Sequence, residues 1–179
     1  MIANEKKIIF LDGDGTLWYP KKTKYTEKPH WIYAHEDSKD NYCEHLMMIP
    51  TALVTLKKLK KLGVTVILLS THPHPPKEAD VVINHKVAHF KLVKLFDEIH
   101  ATREIQSSKG EFILKILKKR KIPKSRALMV GDSYRWDYKP AKDVGVDALI
   151  IESEYLKKDR YGKMVKNTIK KSSDVLEYI

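Results

Sequence analysis

The sequence predicts an α/β domain built on a parallel β-sheet with helices on both faces. Short apolar runs alternate with amphipathic stretches, and several runs end directly on acids, hydroxyls or glycine. Ile8-Ile9-Phe10-Leu11 is wholly apolar and ends at Asp12, as expected of a central strand buried on both faces. Pro50 opens a helix with Leu53, Leu56, Leu59 and Leu62 on one stripe and Gly63 as its stop. Val64 to Leu69 reads as the second strand, Ala79 to Leu95 as a helical stretch, and Phe96 to Ala101 as a short third strand. Lys109 to Lys119 is an amphipathic helix with Phe112, Ile113, Ile116 and Leu117 facing inward. Arg126 to Val130 is the fourth strand, Ala141 to Val144 a short helix stopped by Gly145, and Ala148 to Ile151 the fifth strand. The chain closes on a helix capped by Ser173.

Two segments break the alternation. Leu17 to Ile49 is an insertion after strand one, with residues 18–49 forming a flap rich in Lys, His and aromatics (Trp18, Tyr19, Tyr25, Trp31, Tyr33, Tyr42). Loops of that length inside compact domains are usually functional or disordered. Residues 153–179 form a basic tail and C-terminal helix, with Ser153 to Lys166 expected to be a surface excursion.

At 179 residues the chain fits one domain, 1–179, with enough length to bury a core. No stretch approaches the roughly 20 apolar residues of a membrane span, and the N-terminus lacks a signal-peptide layout, so no membrane partner is expected. Cys43 is the only cysteine, which excludes an internal disulfide and a thiolate metal cluster and suits the cytoplasm. Lys and Arg total 34 against 23 Asp and Glu, a formal charge of +11. Such a charge can attract nucleic acid, but these lysines are scattered, which favours the heavily charged skin of a heat-adapted protein.

The chemistry is concentrated at strand ends. Asp12-Gly13-Asp14-Gly15-Thr16 places two carboxylates two residues apart on a glycine-bearing loop. In open parallel sheets that edge is where ligands bind. Acids so close repel unless a cation lies between them or one is protonated. Three further elements follow in order: Ser70 and Thr71 after strand two, Lys109 opening the helix before strand four, and Gly131-Asp132 with Asp137 five residues on.

Together these residues resemble the haloacid-dehalogenase-like superfamily. Its pattern is Asp-x-Asp-Gly-Thr, then Ser or Thr after strand two, then Lys, then Gly-Asp with a second Asp nearby. The resemblance covers about Ile8 to Ile151 and implies a Rossmann-like sheet and a magnesium-dependent phosphatase. It implies Asp12 as the nucleophile that becomes phosphorylated, and Asp14 as acid for the leaving oxygen and then base for water. Mg²⁺ is implied on carboxylate oxygens of Asp12 and Asp132 and the backbone carbonyl of Asp14. Ser70 is assigned to the phosphoryl group with Lys109 offsetting its charge, Gly13 and Thr71 to the phosphate, and Asp137 to orienting Lys109 or a metal-bound water. Thr71 is an alternative to Ser70, and capping an alternative role for Asp137.

Two departures stand out: Gly13 where the family usually has a bulky apolar or basic residue, suggesting a more open site or looser loop, and Thr71 where Asn is common. Only 33 residues separate Thr16 from Pro50, too few for the usual helical cap. A capless or minimally capped enzyme with an extended flap is therefore expected, similar to the magnesium-dependent phosphatase branch. That branch implies a small phosphorylated metabolite or a protein phosphotyrosine as substrate; a nucleic-acid end phosphatase and a non-catalytic nucleic-acid-binding protein are the alternatives. His72 and His74 either line the substrate mouth or are ordinary loop residues. His85 and His89 have the spacing of a metal pair but lack a third ligand nearby, so no zinc is expected.

Overall fold

The computed structural model describes residues 5–72, 74, 76–102 and 108–179. Its strands are β1 (Ile8–Leu11), β2 (Trp18–Pro20), β3 (Leu46–Met48), β4 (Thr65–Thr71), β5 (Glu98–Thr102), β6 (Ala127–Gly131), β7 (Asp147–Ile151) and β8 (Thr168–Ile169). The helices are α1 (Ala52–Lys61), α2 (Pro76–His89), α3 (Lys109–Arg120), α4 (Lys139–Asp143) and α5 (Glu154–Lys158). Six strands form one parallel sheet in the order β5-β4-β1-β6-β7-β8. β1 pairs with β4 on one side and β6 on the other, so Leu11 lies level with Leu68 and Val130. That register brings Asp12, Ser70 and Thr71, and Asp132 to the same sheet edge.

Strand residues alternate between two apolar layers. Ile9, Leu11, Val66, Leu68, Leu128 and Val130 face α1, α2 and the flap. Ile8, Phe10, Ile67, Leu69, Ala127 and Met129 face α3 and α4. Helices thus cover both faces, as the buried character of the strands requires. In place of a helical cap, β2 and β3 form an antiparallel pair, and 3₁₀ turns at Pro29–Tyr33 and Tyr42–His45 lie between them.

Several elements differ from the sequence expectation. In α1 the buried residues are Ala52, Thr55, Leu56 and Leu59, whereas Leu53 and Leu62 are 38% and 61% exposed. The face is narrower than the leucine pattern because Ala52 and Thr55 pack where leucines were expected. The stretch Ala79 to Leu95 is two elements: α2 ends at His89, Lys91 turns with φ +56°, and a 3₁₀ turn covers Val93–Leu95. β4 continues through Ser70 and Thr71, so both lie within the strand. The sixth strand, β8, is two residues long, too short to carry a pattern. The final helix is a 3₁₀ segment, Ser172–Tyr178. Its entry is fixed by the Asp174 carboxylate, which accepts from the backbone amides of Lys170 and Lys171, and not by Ser173. Ser153 to Lys166 is no mere surface excursion: Tyr155 and Leu156 are buried, and the Ser153 hydroxyl caps α5 by accepting from the Leu156 amide. Among the described residues no helix is long and apolar enough to cross a membrane.

Candidate active site

The sheet edge opens into a cavity of about 480 Å³. Asp12, Lys109, Asp132 and Asp137 line it, together with Thr71 and His72 from the end of β4. Lys109 is placed by the start of α3. The Ser108 hydroxyl accepts from the Glu111 amide, and the Glu111 carboxylate accepts from the Ser108 amide, which fixes Lys109 as the first helical residue. Its ammonium donates to Asp12 Oδ1 at 2.6 Å and to Asp137 Oδ1 at 2.5 Å. The other Asp137 oxygen accepts from the amides of Asp132 and Ser133, at 3.2 and 3.0 Å. Asp137 therefore orients Lys109 and braces the loop that carries Asp132.

Carboxylate oxygens of Asp12, Asp132 and Asp137 all lie within 4.8 Å of one another. One lysine is too little positive charge for three buried acids. Burial, only partly offset by Lys109, raises the Asp12 carboxyl to about 6, with Asp137 adding to the rise. Burial also raises Asp132 well above the usual carboxylate range, reinforced by Asp137 and Asp12. Burial alone would lower Lys109; the attraction of Asp12 and Asp137 outweighs it and raises the ammonium. An all-oxygen donor set with surplus negative charge fits a hard divalent cation such as Mg²⁺. Tyr155 donates to Asp132 Oδ2 at 2.6 Å, which leaves the other oxygen of that carboxylate for such a cation.

Asp14 stands apart from this cluster. Its carboxylate accepts from Trp18 Nε1 at 2.8 Å, from Lys86 Nζ at 2.9 Å and from the Tyr33 hydroxyl at 2.9 Å to each oxygen. Burial would raise its carboxyl, but Lys86 prevails and holds it at about 2. Asp14 is not among the residues lining the cavity.

Gly13 and Ser70 also lie off the cavity. A Cβ on Gly13 would sit 2.7 Å from the Trp18 ring. The residue missing at position 13 is thus replaced by an indole; the loop is packed, not loosened. Its carbonyl accepts from the amide of Leu17 at 2.8 Å, closing the turn. Ser70 Oγ is buried on the Gly13 side of the strand, without a hydrogen-bond partner among the described residues. Thr71 points the other way, as alternation demands, and its hydroxyl lies 3.2 Å from that of Thr102. Thr71, the alternative to Ser70, is the one that lines the cavity.

The remaining walls come from the flap, expected from its length to be functional or disordered, and from residues that the sequence did not single out. The flap contributes Lys28, Pro29 and His30; the π-helical turn Tyr134–Tyr138 contributes Tyr134 and Trp136; the tail contributes Tyr155, Leu156 and Asp159. Lys28 and Asp159 pair at 3.4 Å, joining flap to tail. His72 lines the cavity and lies with its Nδ1 2.8 Å from that of His74. His85 pairs with the Tyr42 hydroxyl at 3.0 Å, and His89 packs edge-on against Phe90.

Three acids and a lysine thus converge at one edge of a parallel α/β sheet. The profile of haloacid dehalogenase-like hydrolases matches residues 6–151, and the chain belongs to that family. Solved structures share the fold across nearly its whole length. A haloacid dehalogenase-like hydrolase from Streptococcus pneumoniae is 17% identical with a TM-score of 0.70, covering 97% of this chain and 98% of its own. A predicted phosphoglycolate phosphatase from Haemophilus somnus is 14% identical with a TM-score of 0.72, covering 98% of both. An uncharacterized protein from Listeria monocytogenes is 22% identical with a TM-score of 0.69, covering 96% of this chain and 95% of its own. A comparison with curated protein sequences finds no match.

Proposed function

We propose that this hydrolase is a magnesium-dependent phosphomonoesterase acting in the cytoplasm on a small phosphorylated metabolite or a protein phosphotyrosine. The observation that carries this reading is the convergence of Asp12, Asp132, Asp137 and Lys109 on one cavity wall. Asp12 Oδ1 is held by Lys109, so the other oxygen is the one free to attack phosphorus. The new oxygen–phosphorus bond makes an aspartyl phosphate as the bond to the leaving oxygen breaks. That oxygen takes its electron pair and then a proton, which Asp14 supplies after it is released from Lys86 and Tyr33 and has itself taken a proton from solvent. Water next attacks the same phosphorus, Asp14 takes its proton, and phosphate and free Asp12 are regenerated. Lys109 and the Thr71 hydroxyl stabilise charge on the phosphoryl oxygens. Mg²⁺, held by Asp12 and Asp132, would neutralise the phosphate's charge and orient it for attack. Phosphatase names among the structural neighbours support the reading.

The test is turnover of an aryl phosphate. Activity should require added Mg²⁺ and disappear with a chelator, while Asp12→Asn should abolish it with the fold intact. Substantial turnover by clean Asp12→Asn protein, or a rate indifferent to metal, would sink the proposal.

A further inference from the structure

The Asp14 carboxylate is fully engaged by donors that belong neither to the cavity nor to the other acidic loop. Tyr33 comes from the flap and Lys86 from α2, and the two are joined by a 2.6 Å bond from ammonium to hydroxyl. The three side chains form a closed cycle: Lys86 donates to both Asp14 and Tyr33, and Tyr33 donates to Asp14. Lys86 is fully buried and its ammonium sits 5.4 Å from the Trp18 ring centre and 5.0 Å from that of Tyr33. One residue earlier on α2, His85 holds the flap a second time through Tyr42. None of Asp14, Tyr33 and Lys86 lines the cavity. His72 does, and its ring packs against Tyr33 at 4.6 Å, which puts the cycle behind the cavity wall.

We propose that Tyr33 and Lys86 are positioning residues for Asp14. With the flap seated they hold its carboxylate behind the cavity wall, and displacement of Tyr33 with the flap is what lets Asp14 reach a leaving-group oxygen. The inference rests on the phosphatase reading and adds a control on when the acid is available. In the first step, leaving groups that depart without a proton are indifferent to that control, whereas hydrolysis of the aspartyl phosphate needs Asp14 for every substrate. Alkyl esters, whose oxygens need the proton, depend on that control in both steps.

Steady-state kcat and KM for 4-nitrophenyl phosphate and glycerol 2-phosphate test the idea in wild type, Tyr33→Phe and Lys86→Met, and with Tyr33→Phe added to Asp14→Asn. Tyr33→Phe should raise the alkyl-to-aryl ratio of kcat/KM, which reports only the step that expels the leaving group, by on the order of tenfold, a part of the roughly 10²–10⁴-fold that a general acid supplies. The gain should be absent when Asp14 is already Asn, because a purely structural effect would survive that change. Lys86→Met should shift the ratio the same way; should it fail to fold, as judged by circular dichroism, Tyr33→Phe decides alone. An unchanged or lowered ratio in Tyr33→Phe, or a gain that persists with Asn at position 14, overturns the positioning role and leaves the phosphatase reading standing. A wild type that turns over neither ester overturns both.

Discussion

Lys109 is shared between two carboxylates, while among the described residues a third, Asp132, receives a tyrosine hydroxyl and no cation. Burial, reinforced by the neighbouring acids and only partly offset by that one ammonium, pushes Asp12 and Asp132 upward, and a divalent cation would relieve it. Asp132→Ala should therefore raise the Mg²⁺ concentration needed for half-maximal turnover, measured by metal titration; an unchanged requirement would remove Asp132 from the ligand set. Asp14 calls for a different measurement. Asp14→Asn should lower kcat/KM for glycerol 2-phosphate by roughly 10²–10⁴-fold and for 4-nitrophenyl phosphate by much less, since nitrophenolate leaves without a proton, while hydrolysis of the aspartyl phosphate slows for both. Equal losses would mean that Asp14 acts only through the packing of Trp18 and Tyr33. Asp12, Lys109 and Asp132 were legible in the sequence because each stands just past the end of a strand or at a helix start, and Asp137 because it follows Asp132 by five residues. Lys86, Tyr33 and Tyr155 were not. They come from the middle of a helix, an irregular flap and a basic tail, and only tertiary contact brings them to the acids.

At the scale of elements, the β1-to-β2 turn shows how tightly backbone and site are joined. Gly15 has φ +78°, and a Cβ there would lie 2.2 Å from Asp132 Oδ2 and 2.6 Å from the Tyr155 hydroxyl. Gly15→Ala should cost about 1–2 kcal/mol from left-handed backbone alone. It should also displace Asp132 and with it the metal requirement. Thermal unfolding and a Mg²⁺ titration read the two effects separately; a variant with wild-type values in both would show that the turn has slack. Sheet strands and α3 were legible because continuous apolar runs and the helical spacing of Phe112, Ile113, Ile116 and Leu117 are local signals. The α1 face was misjudged because leucine spacing alone does not say which side packs. Leu53 and Leu62 remain exposed while Thr55 is buried. The flap's β2–β3 pair was hidden for a related reason: its strands are three residues each and separated by 25 residues of irregular chain.

Across the whole molecule, the open issue raised by a charge of +11 is whether the surface serves a polyanion. The lysines lining the cavity argue that it does not. Lys28 pairs with Asp159, and the buried Lys109, held by Asp12 and Asp137, serves the one phosphoryl group at the reacting centre, so neither extends a cationic track out of the mouth. Elsewhere lysines pair locally with acids: Lys39 with Glu36, Lys60 with Asp97, Lys139 with Asp143 and Lys157 with Glu154. A nucleic-acid track needs cations gathered along one path, each releasing counterions as it meets a phosphate. Pairs spread over the flap, α1, α4 and α5 supply no such path. Oligonucleotide binding should accordingly be no tighter than on the order of 10⁻⁶ M near physiological salt, the range of non-specific attraction. Fluorescence anisotropy of labelled single- and double-stranded oligonucleotides across a salt series measures it. Sub-micromolar binding that falls steeply with salt, joined to preferential release of a terminal phosphate, would replace the metabolite or phosphotyrosine reading with a nucleic-acid end phosphatase.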